Sequence, residues 1–157
     1  MREIKFRGKN VDNDEWMYGF LTKCQNRIWE NGQSSQDGYK MQIISHEMPI
    51  GVWDVISETV GQYTGLKDKN GVEIYEGDIV RILYTDWGSK PESDPRTLHQ
   101  YLNDISYIAK VVFERNSWMV SIFGEKYKEW YFDGITPGKH GFIEVIGNIH
   151  SNPELLK

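Results

Sequence analysis

Closely spaced acidic side chains come nearest to a catalytic arrangement in this sequence. Glu76 and Asp78 are separated only by Gly77, so an extended backbone would place both carboxyl groups on one face. Two carboxylates that close raise the pKa of one of them, as a general acid paired with a general base requires. The same sequence is typical of a turn, because Asp accepts hydrogen bonds from nearby amides and Gly permits positive φ. We favour the turn, and we predict no catalytic residue and no enzyme activity.

Metal ligation is the second chemistry that the acids suggest. Asp68-Lys69-Asn70-Gly71 is similar to the start of a calcium-binding loop. Such a loop needs a bidentate Glu at its twelfth position, where this chain has Ile79. The histidines lie far apart and show no ligand spacing. We therefore predict no metal and no cofactor, and we rank a metal-dependent hydrolase using Asp68, Glu76 or Asp78 third among the functions considered.

Nucleophile and phosphate-binding motifs are missing from the sequence. Cys24 is the single cysteine and has no histidine near it, so it is interpreted as a packing residue and cannot form an internal disulfide. No Gly-x-Ser-x-Gly elbow and no glycine-rich phosphate loop is present. No secretory leader and no apolar run of about 20 residues is visible. These features favour a cytoplasmic protein with no membrane association.

The net charge of the chain does not favour nucleic-acid binding. It is −5, whereas proteins that bind a phosphate backbone usually carry an excess of basic residues. The segment 1–10 is nevertheless basic, with Arg2, Lys5, Arg7 and Lys9 against one acid. The segment 127–132 adds aromatic rings of the kind on which bases stack, although it pairs an acid with a base. Nucleic-acid binding by a small β-barrel is therefore an alternative that we do not favour.

Strands are the elements that the sequence predicts most clearly. Aromatic residues make up 13% of the chain and offset a hydrophobic share of only 39%. Apolar residues alternate with polar ones, so that one face of each strand can be buried. Many short strands of this kind predict a barrel or a sandwich. The alternating runs are Ile4–Phe6, Trp16–Phe20, Val80–Tyr84, Ala109–Phe113, Trp118–Ile122, Trp130–Phe132 and Ile143–Val145.

Turn and helix signals divide these runs. Asn70-Gly71 predicts a type I′ turn. The stretch 29–39 is rich in Asn, Gly, Gln and Ser and predicts a loop. Asp94-Pro95 can cap a helix over about 95–106, where apolar residues recur at helical spacing. Asn152-Pro153 predicts a short helical turn near the C-terminus.

Three segments carry a pattern that resembles a known family. They are Arg2-Glu3-Ile4-Lys5-Phe6-Arg7, the run Glu58–Gly71 continued by Ile74–Val80, and Glu144–His150 continued by Asn152–Leu156. Together they resemble the YopX family of phage and prophage proteins. The resemblance implies an SH3-like β-barrel with additional N-terminal strands, a phage or prophage origin in a bacterium, and self-association. The family has no established activity, cofactor or catalytic residue, so the resemblance assigns none to this chain.

These observations predict one YopX-like domain over 1–157, or an N-terminal β lobe over 1–56 packed on an SH3-like barrel over 57–150. The predicted function is that of a phage or prophage accessory protein in the cytoplasm of a bacterial host. We expect a non-enzymatic protein-interaction module that forms a homo-oligomer and binds a protein partner that the sequence does not identify. The candidate interaction surface consists of Arg7, Gln62, Tyr63, Thr64, Lys67, Tyr127 and Tyr131.

Overall fold

The computed structural model describes residues 3–30, 33–45, 50–84, 95, 106–122, 129–131 and 141–156. The described residues are mainly β, and their strands pair into antiparallel sheets. The strands are β1 (Phe6–Lys9), β2 (Trp16–Glu30), β3 (Gln33–Ser45), β4 (Gly51–Val55), β5 (Gly61–Lys67), β6 (Glu73–Tyr75), β7 (Asp78–Tyr84), β8 (Tyr107–Glu114), β9 (Ser117–Ile122), β10 (Glu129–Tyr131) and β11 (Gly141–Asn148). Short 3₁₀ turns occupy Ser57–Thr59 and Pro153–Leu156, and the second is the C-terminal helical turn that the sequence predicts.

The chain divides into two compact units, Met1–Tyr63 and Thr64–Lys157. In the described residues the sheets are open, and no closed barrel is formed. The helix predicted over about 95–106 lies outside the described residues, apart from Pro95 and Ser106 at its two ends.

The first unit is a strongly bent meander. Its strand order is β4-β3-β2-β1, followed by the start of β5. An isolated bridge joins Asn10 to Val55, and the amide of Ile56 donates to the carbonyl of Lys9 at 2.8 Å, so the end of β1 returns to β4. The inner face of this bend holds a small core. Met17, Ile43 and Val55 are buried there, with Leu21, Met41, Trp53 and Val60 packed against them.

The second unit contains a five-stranded sheet in the order β10-β9-β8-β7-β11. Its core follows the predicted alternation, because Val80, Ile82, Ala109 and Val111 all point to one buried face. The remaining buried members of this core are Ile74, Trp118, Val120, Ile122 and Ile143. The predicted facing is confirmed for these residues, whereas Phe113, predicted in the same row of β8, is 44% exposed.

The facing predicted for β2 is wrong. We expected Trp16, Tyr18 and Phe20 to form its buried row. Instead Met17 points into the core, while Tyr18 and Phe20 are exposed on the opposite face. Both rows of this strand contain apolar residues, so alternation alone does not select the inward row. A shift of one residue exchanges the two faces of a strand.

The loop predicted over 29–39 is also wrong in part. β2 continues to Glu30 and β3 begins at Gln33, and the two strands pair through Arg27↔Gln36 to Glu30↔Gln33. Backbone hydrogen bonding accounts for this, because a ribbon can pair through its main chain whatever its side chains. The polar composition therefore gave a misleading signal.

The type I′ turn predicted at Asn70-Gly71 is not formed. A type I′ turn needs positive φ at both central residues, but in the pair Asn70-Gly71 only Gly71, at φ 84°, has it. That loop is closed instead by the amide of Gly71 donating to the carbonyl of Asp68 at 3.0 Å. The two-residue turn with positive φ at both positions is Arg115-Asn116, at 52° and 61°, between β8 and β9.

Asn116→Gly is expected to stabilise the protein by about 0.5 kcal/mol, because glycine adopts this left-handed conformation with less strain than any other residue. Urea unfolding followed by circular dichroism measures the gain. Glycine introduced at Ser117, which lies in β9, is the control and should destabilise the hairpin. An Asn116→Gly variant less stable than the natural chain would contradict the turn assignment.

Candidate interaction face

The acid at the start of the β5–β6 loop is a structural anchor. Asp68 is 5% exposed, and one of its oxygens accepts hydrogen bonds from the amides of Asn70 at 2.7 Å and Val72 at 2.9 Å. Its other oxygen accepts from the amide of Val145 at 3.0 Å. Burial opposes its ionisation, but these bonds to the carboxylate prevail and lower the pKa of Asp68 below its ordinary value. Asp68 thus fastens the loop to β11.

Asp78, in the Glu76-Gly77-Asp78 turn, has a similar structural role. Asp78 is buried and accepts a hydrogen bond from the amide of Tyr75 at 2.8 Å. The side-chain amide of Asn148 donates to the carbonyl of Gly77 at 3.0 Å, and the amide of Ile149 donates to the same carbonyl. Gly77 has φ 81°, which the turn requires. The turn reading therefore accounts for Gly77 and Asp78 in this motif.

These contacts join two of the segments that carry the family resemblance. The central segment supplies Asp68, Gly77 and Asp78, and the C-terminal segment supplies Val145 and Asn148. The contacting residues are 70 or more positions apart in the chain. Within the described ranges, no group of three or more His, Cys, Asp or Glu residues could hold a metal ion. The shared sequence of these segments therefore maintains the fold of the second unit.

Three residues of the predicted interaction surface are buried in the fold. Arg7 and Tyr63 are 7% and 5% exposed, and the buried hydroxyl of Thr64 donates to the carbonyl of Ile74 at 2.8 Å. Gln62 is half-buried beside β1, where it pairs with Phe6, and Lys67 is exposed in the other unit. Tyr127 lies outside the described residues, and only the backbone of Tyr131 is described. The described members thus offer little common surface.

The basic N-terminal strand is occupied by contacts within its own sheet. The guanidinium of Arg7 lies 4.7 Å from the ring centre of Trp16, and the ammonium of Lys9 lies 5.8 Å from it. Lys9 also forms an ion pair with Asp14 at 2.7 Å. Lys5 lies over the ring of Tyr18 at 5.9 Å. Cations stacked in this way occupy ring faces on which a nucleic-acid base would stack, so the arrangement does not favour nucleic-acid binding.

An apolar row crosses the outward face of the first sheet. Phe20 on β2 lies opposite Ile44 on β3, and Ile44 lies opposite Val52 on β4. Phe20 is 54% exposed and Val52 is 56% exposed, and Tyr18 adds a further exposed ring two residues along β2. We call these four residues the outer patch. Large apolar groups that adjoin one another on a surface are typical of interaction sites.

A polar network borders the outer patch. The side chain of Gln42 links β2 to β4, because it accepts from the thiol of Cys24 at 2.8 Å and donates to Asp54 at 2.6 Å. Lys40 donates to the other oxygen of Asp54 at 2.7 Å. The hydrogen bonds from Lys40 and Gln42 lower the pKa of Asp54. The border of the patch therefore carries one acid neutralised by one base.

No sequence signal identified the outer patch as a surface. Its rings were assigned to the core because they alternate along β2, and the pairing that sets Phe20, Ile44 and Val52 in one row joins three separate strands. Among the described residues, no helix has the length and apolarity that crossing a bilayer requires.

Comparison with known proteins agrees with the sequence resemblance. A solved structure, that of protein EF1440 from Enterococcus faecalis, is similar to this chain, with 23% sequence identity, full coverage of both chains and a TM-score of 0.48. No curated protein matches the chain. The family model described as YopX protein matches residues 5–157. The chain therefore belongs to the YopX family.

Proposed function

We propose that this chain is a non-enzymatic protein-interaction module that self-associates through the outer patch. The observation that supports the proposal is the distribution of exposed apolar side chains. Nine large hydrophobic residues are exposed in the described part of the chain, and seven of them belong to the first unit. Exposing these side chains to water costs free energy. That free energy is regained when a partner covers them.

A second copy of the chain fits this face on grounds of charge. The border of the patch is neutral overall, because Asp54 is paired with Lys40. Two such faces can therefore meet about a two-fold axis without placing uncompensated like charges opposite one another. A standard interface buries roughly 800 Å² and about 20 to 30 residues per partner, many more than the four residues of the outer patch. The outer patch is the centre of a larger contact that includes the polar border.

The acids and motif residues of the second unit support the absence of an enzymatic role. Asp68 and Asp78 are committed to backbone amides of the fold. We further propose, from the family relationship, that the chain is a phage or prophage accessory protein of the bacterial cytoplasm. We propose that residues 57–150 form an SH3-like barrel, which a structure that also describes 85–94, 96–105, 123–128 and 132–140 would test.

Val52→Lys is expected to weaken self-association about a hundredfold, because a two-fold contact introduces the unpaired charge twice. Val72→Lys is the matched control, since Val72 is 48% exposed but lies in the β5–β6 loop of the other unit. Sedimentation velocity over a dilution series measures both variants. A natural chain that stays monomeric at every concentration would refute the proposal, and equal effects of both substitutions would remove the outer patch from it.

A further inference from the structure

The Asn70-Gly71 pair in the β5–β6 loop has a chemical reactivity of its own. Asparagine is a thermolabile residue. When glycine follows it, the backbone nitrogen of the glycine can attack the side-chain carbonyl carbon, because no side chain on the glycine obstructs the approach. Asn70 and Gly71 are both exposed, and a methyl group built at Gly71 would meet nothing within 4 Å. The pair is therefore open to deamidation on steric grounds.

Deamidation at this pair needs no component other than water. Gly71 loses its amide proton to the solvent, and its nitrogen forms a bond to Cγ of Asn70. The bond from Cγ to Nδ2 then breaks, and Nδ2 takes up one proton and leaves as ammonia. A water molecule opens the resulting cyclic imide at either of its carbonyl groups. The product at position 70 is therefore aspartate or isoaspartate.

The fold opposes the first step of this reaction. The amide of Gly71 donates to the carbonyl of Asp68 at 3.0 Å, so the loss of its proton breaks a hydrogen bond. The carboxylate of Asp68 accepts from the amide of Asn70 at 2.7 Å, which places a negative charge one residue from the nitrogen that must become anionic. A nearby like charge disfavours such an ionisation. Asp68 thus acts on the reacting nitrogen through both its carbonyl and its carboxylate.

The side chain that would be attacked is held as well. Burial opposes the ionisation of Asp68, but hydrogen bonds from backbone amides and from the side chain of Asn70 outweigh it and lower the pKa of Asp68. The bond to Asn70 restricts the rotation that brings Cγ to the nitrogen of Gly71. The carboxylate is itself fixed to β11, because it accepts from the amide of Val145 at 3.0 Å. The loop is therefore held in an arrangement that disfavours ring closure.

We propose that Asn70 is a deamidation site whose rate is set by the opening of the Asp68 hydrogen bonds. While these bonds are formed, ring closure at Asn70-Gly71 is suppressed. The product carries a second carboxylate beside that of Asp68 and, as isoaspartate, an additional methylene group in the main chain. Both changes weaken the attachment of the loop to β11, since like charges repel and the backbone is displaced. This inference goes beyond the proposed self-association and does not depend on it.

The test compares the folded chain with the chain unfolded in guanidinium chloride, both incubated at mildly alkaline pH. Peptide mass mapping measures the product at Asn70 and separates it from any product of the other Asn-Gly pair, at 31–32. We expect deamidation of Asn70 to be at least about tenfold slower in the folded chain, the factor that one hydrogen bond of ordinary net strength contributes. Equal rates in the two states would overturn the proposal.

Two variants separate opening of the loop from unfolding of the whole unit. Asp68→Asn removes the charge and weakens the attachment of the loop, so it should abolish most of the protection of Asn70. Ile82→Ala is the control, because Ile82 is buried in the core of the same unit and its truncation destabilises that unit without touching the loop. It should leave the rate close to that of the natural chain. Equal acceleration in both variants would overturn the proposal.

Hydrogen exchange tests the same inference on the natural chain. At neutral pH and above, exchange of the Gly71 amide begins with the loss of the same proton as ring closure. We expect this amide to be protected to the same degree as Asn70 is protected from deamidation. Exchange as fast as in the unfolded chain would contradict the proposal. Asn70→Asp supplies the product carboxylate and should speed exchange at the amide of Val145, and unchanged exchange there would overturn the effect on β11.

Discussion

Replacing Gly19 by alanine is expected to unfold the first unit, at a cost of roughly 3 to 5 kcal/mol. Gly19 has φ 154°, and a methyl group there would lie 2.1 Å from the carbonyl oxygen of Ile44. That oxygen belongs to the backbone of β3, so it cannot move aside as a flexible side chain would. The cost combines overpacking with a backbone conformation unfavourable to a substituted residue. Urea unfolding and hydrogen exchange of β2 and β3 measure the effect.

Gly71→Ala is the control for Gly19→Ala. Gly71 also has a positive φ, 84°, but a methyl group there would meet nothing within 4 Å. Its substitution should cost only the conformational strain of about 1 to 2 kcal/mol. If the two variants are equally stable, steric crowding inside the bend of the first sheet does not determine its shape. Hydrogen exchange in β7–β9 should stay unchanged in the Gly19→Ala variant, because these strands belong to the other unit.

Removal of the Asp68 carboxylate is expected to destabilise the second unit by roughly 3 to 5 kcal/mol. Asp68→Ala leaves the amides of Asn70, Val72 and Val145 without their acceptor. A buried amide that loses its partner costs about 1 to 3 kcal/mol. Thermal unfolding measures the loss, and faster hydrogen exchange at the amide of Val145 locates it. Asp12→Asn, at an exposed position, should change stability by less than about 0.5 kcal/mol.

The same carboxylate gives the stability a dependence on pH with a definite sign. The pKa of Asp68 is lowered in the folded chain. Its contribution is therefore complete above the unfolded pKa, about 3.9, and is lost as pH falls through the lower folded pKa. Asp68→Asn should lose less stability than the natural chain between pH 5 and pH 2. An unchanged acid profile in that variant would show that the Asp68 hydrogen bonds do not contribute as described.

The sequence was sufficient to predict the core of the second unit. In β7 and β8, Arg81 and Lys110 mark the outward row, and the row of Val80, Ile82, Ala109 and Val111 was predicted to face inward and does so. β2 lacks this contrast, because Met17 and Leu21 interleave with three aromatic residues. The smaller row is the inward one, and a methyl group at Gly19 in that row would lie 2.1 Å from the carbonyl oxygen of Ile44 on β3. This close approach depends on how β2 and β3 pack in the folded chain, so the local sequence pattern does not predict it.

The working residues were harder to predict than the strands. Asp68 bonds to Val145, 77 positions away, and such pairings have no signature in sequence spacing. The motif residues looked like a recognition surface because they are polar, whereas Tyr63 and Thr64 are buried parts of the fold. Conversely, the exposed rings of the outer patch looked like core because they are apolar. The polarity of a residue does not tell whether it is exposed when its motif joins strands that are distant in sequence.

The anchoring of the β5–β6 loop on β11 has a consequence for synthesis on the ribosome. The amide of Lys69 donates to the carbonyl of Ile143, and Asp68 accepts from Val145. The first unit draws its core from a continuous stretch of chain that emerges early. The second unit cannot close until about 80 further residues have been translated, which takes roughly 4 to 16 s at about 5 to 20 residues per second. During that interval the hydrophobic rows of β7 and β8 have been synthesised, but β11 has not yet paired with β7. A chaperone that acts on this protein would therefore bind these two strands.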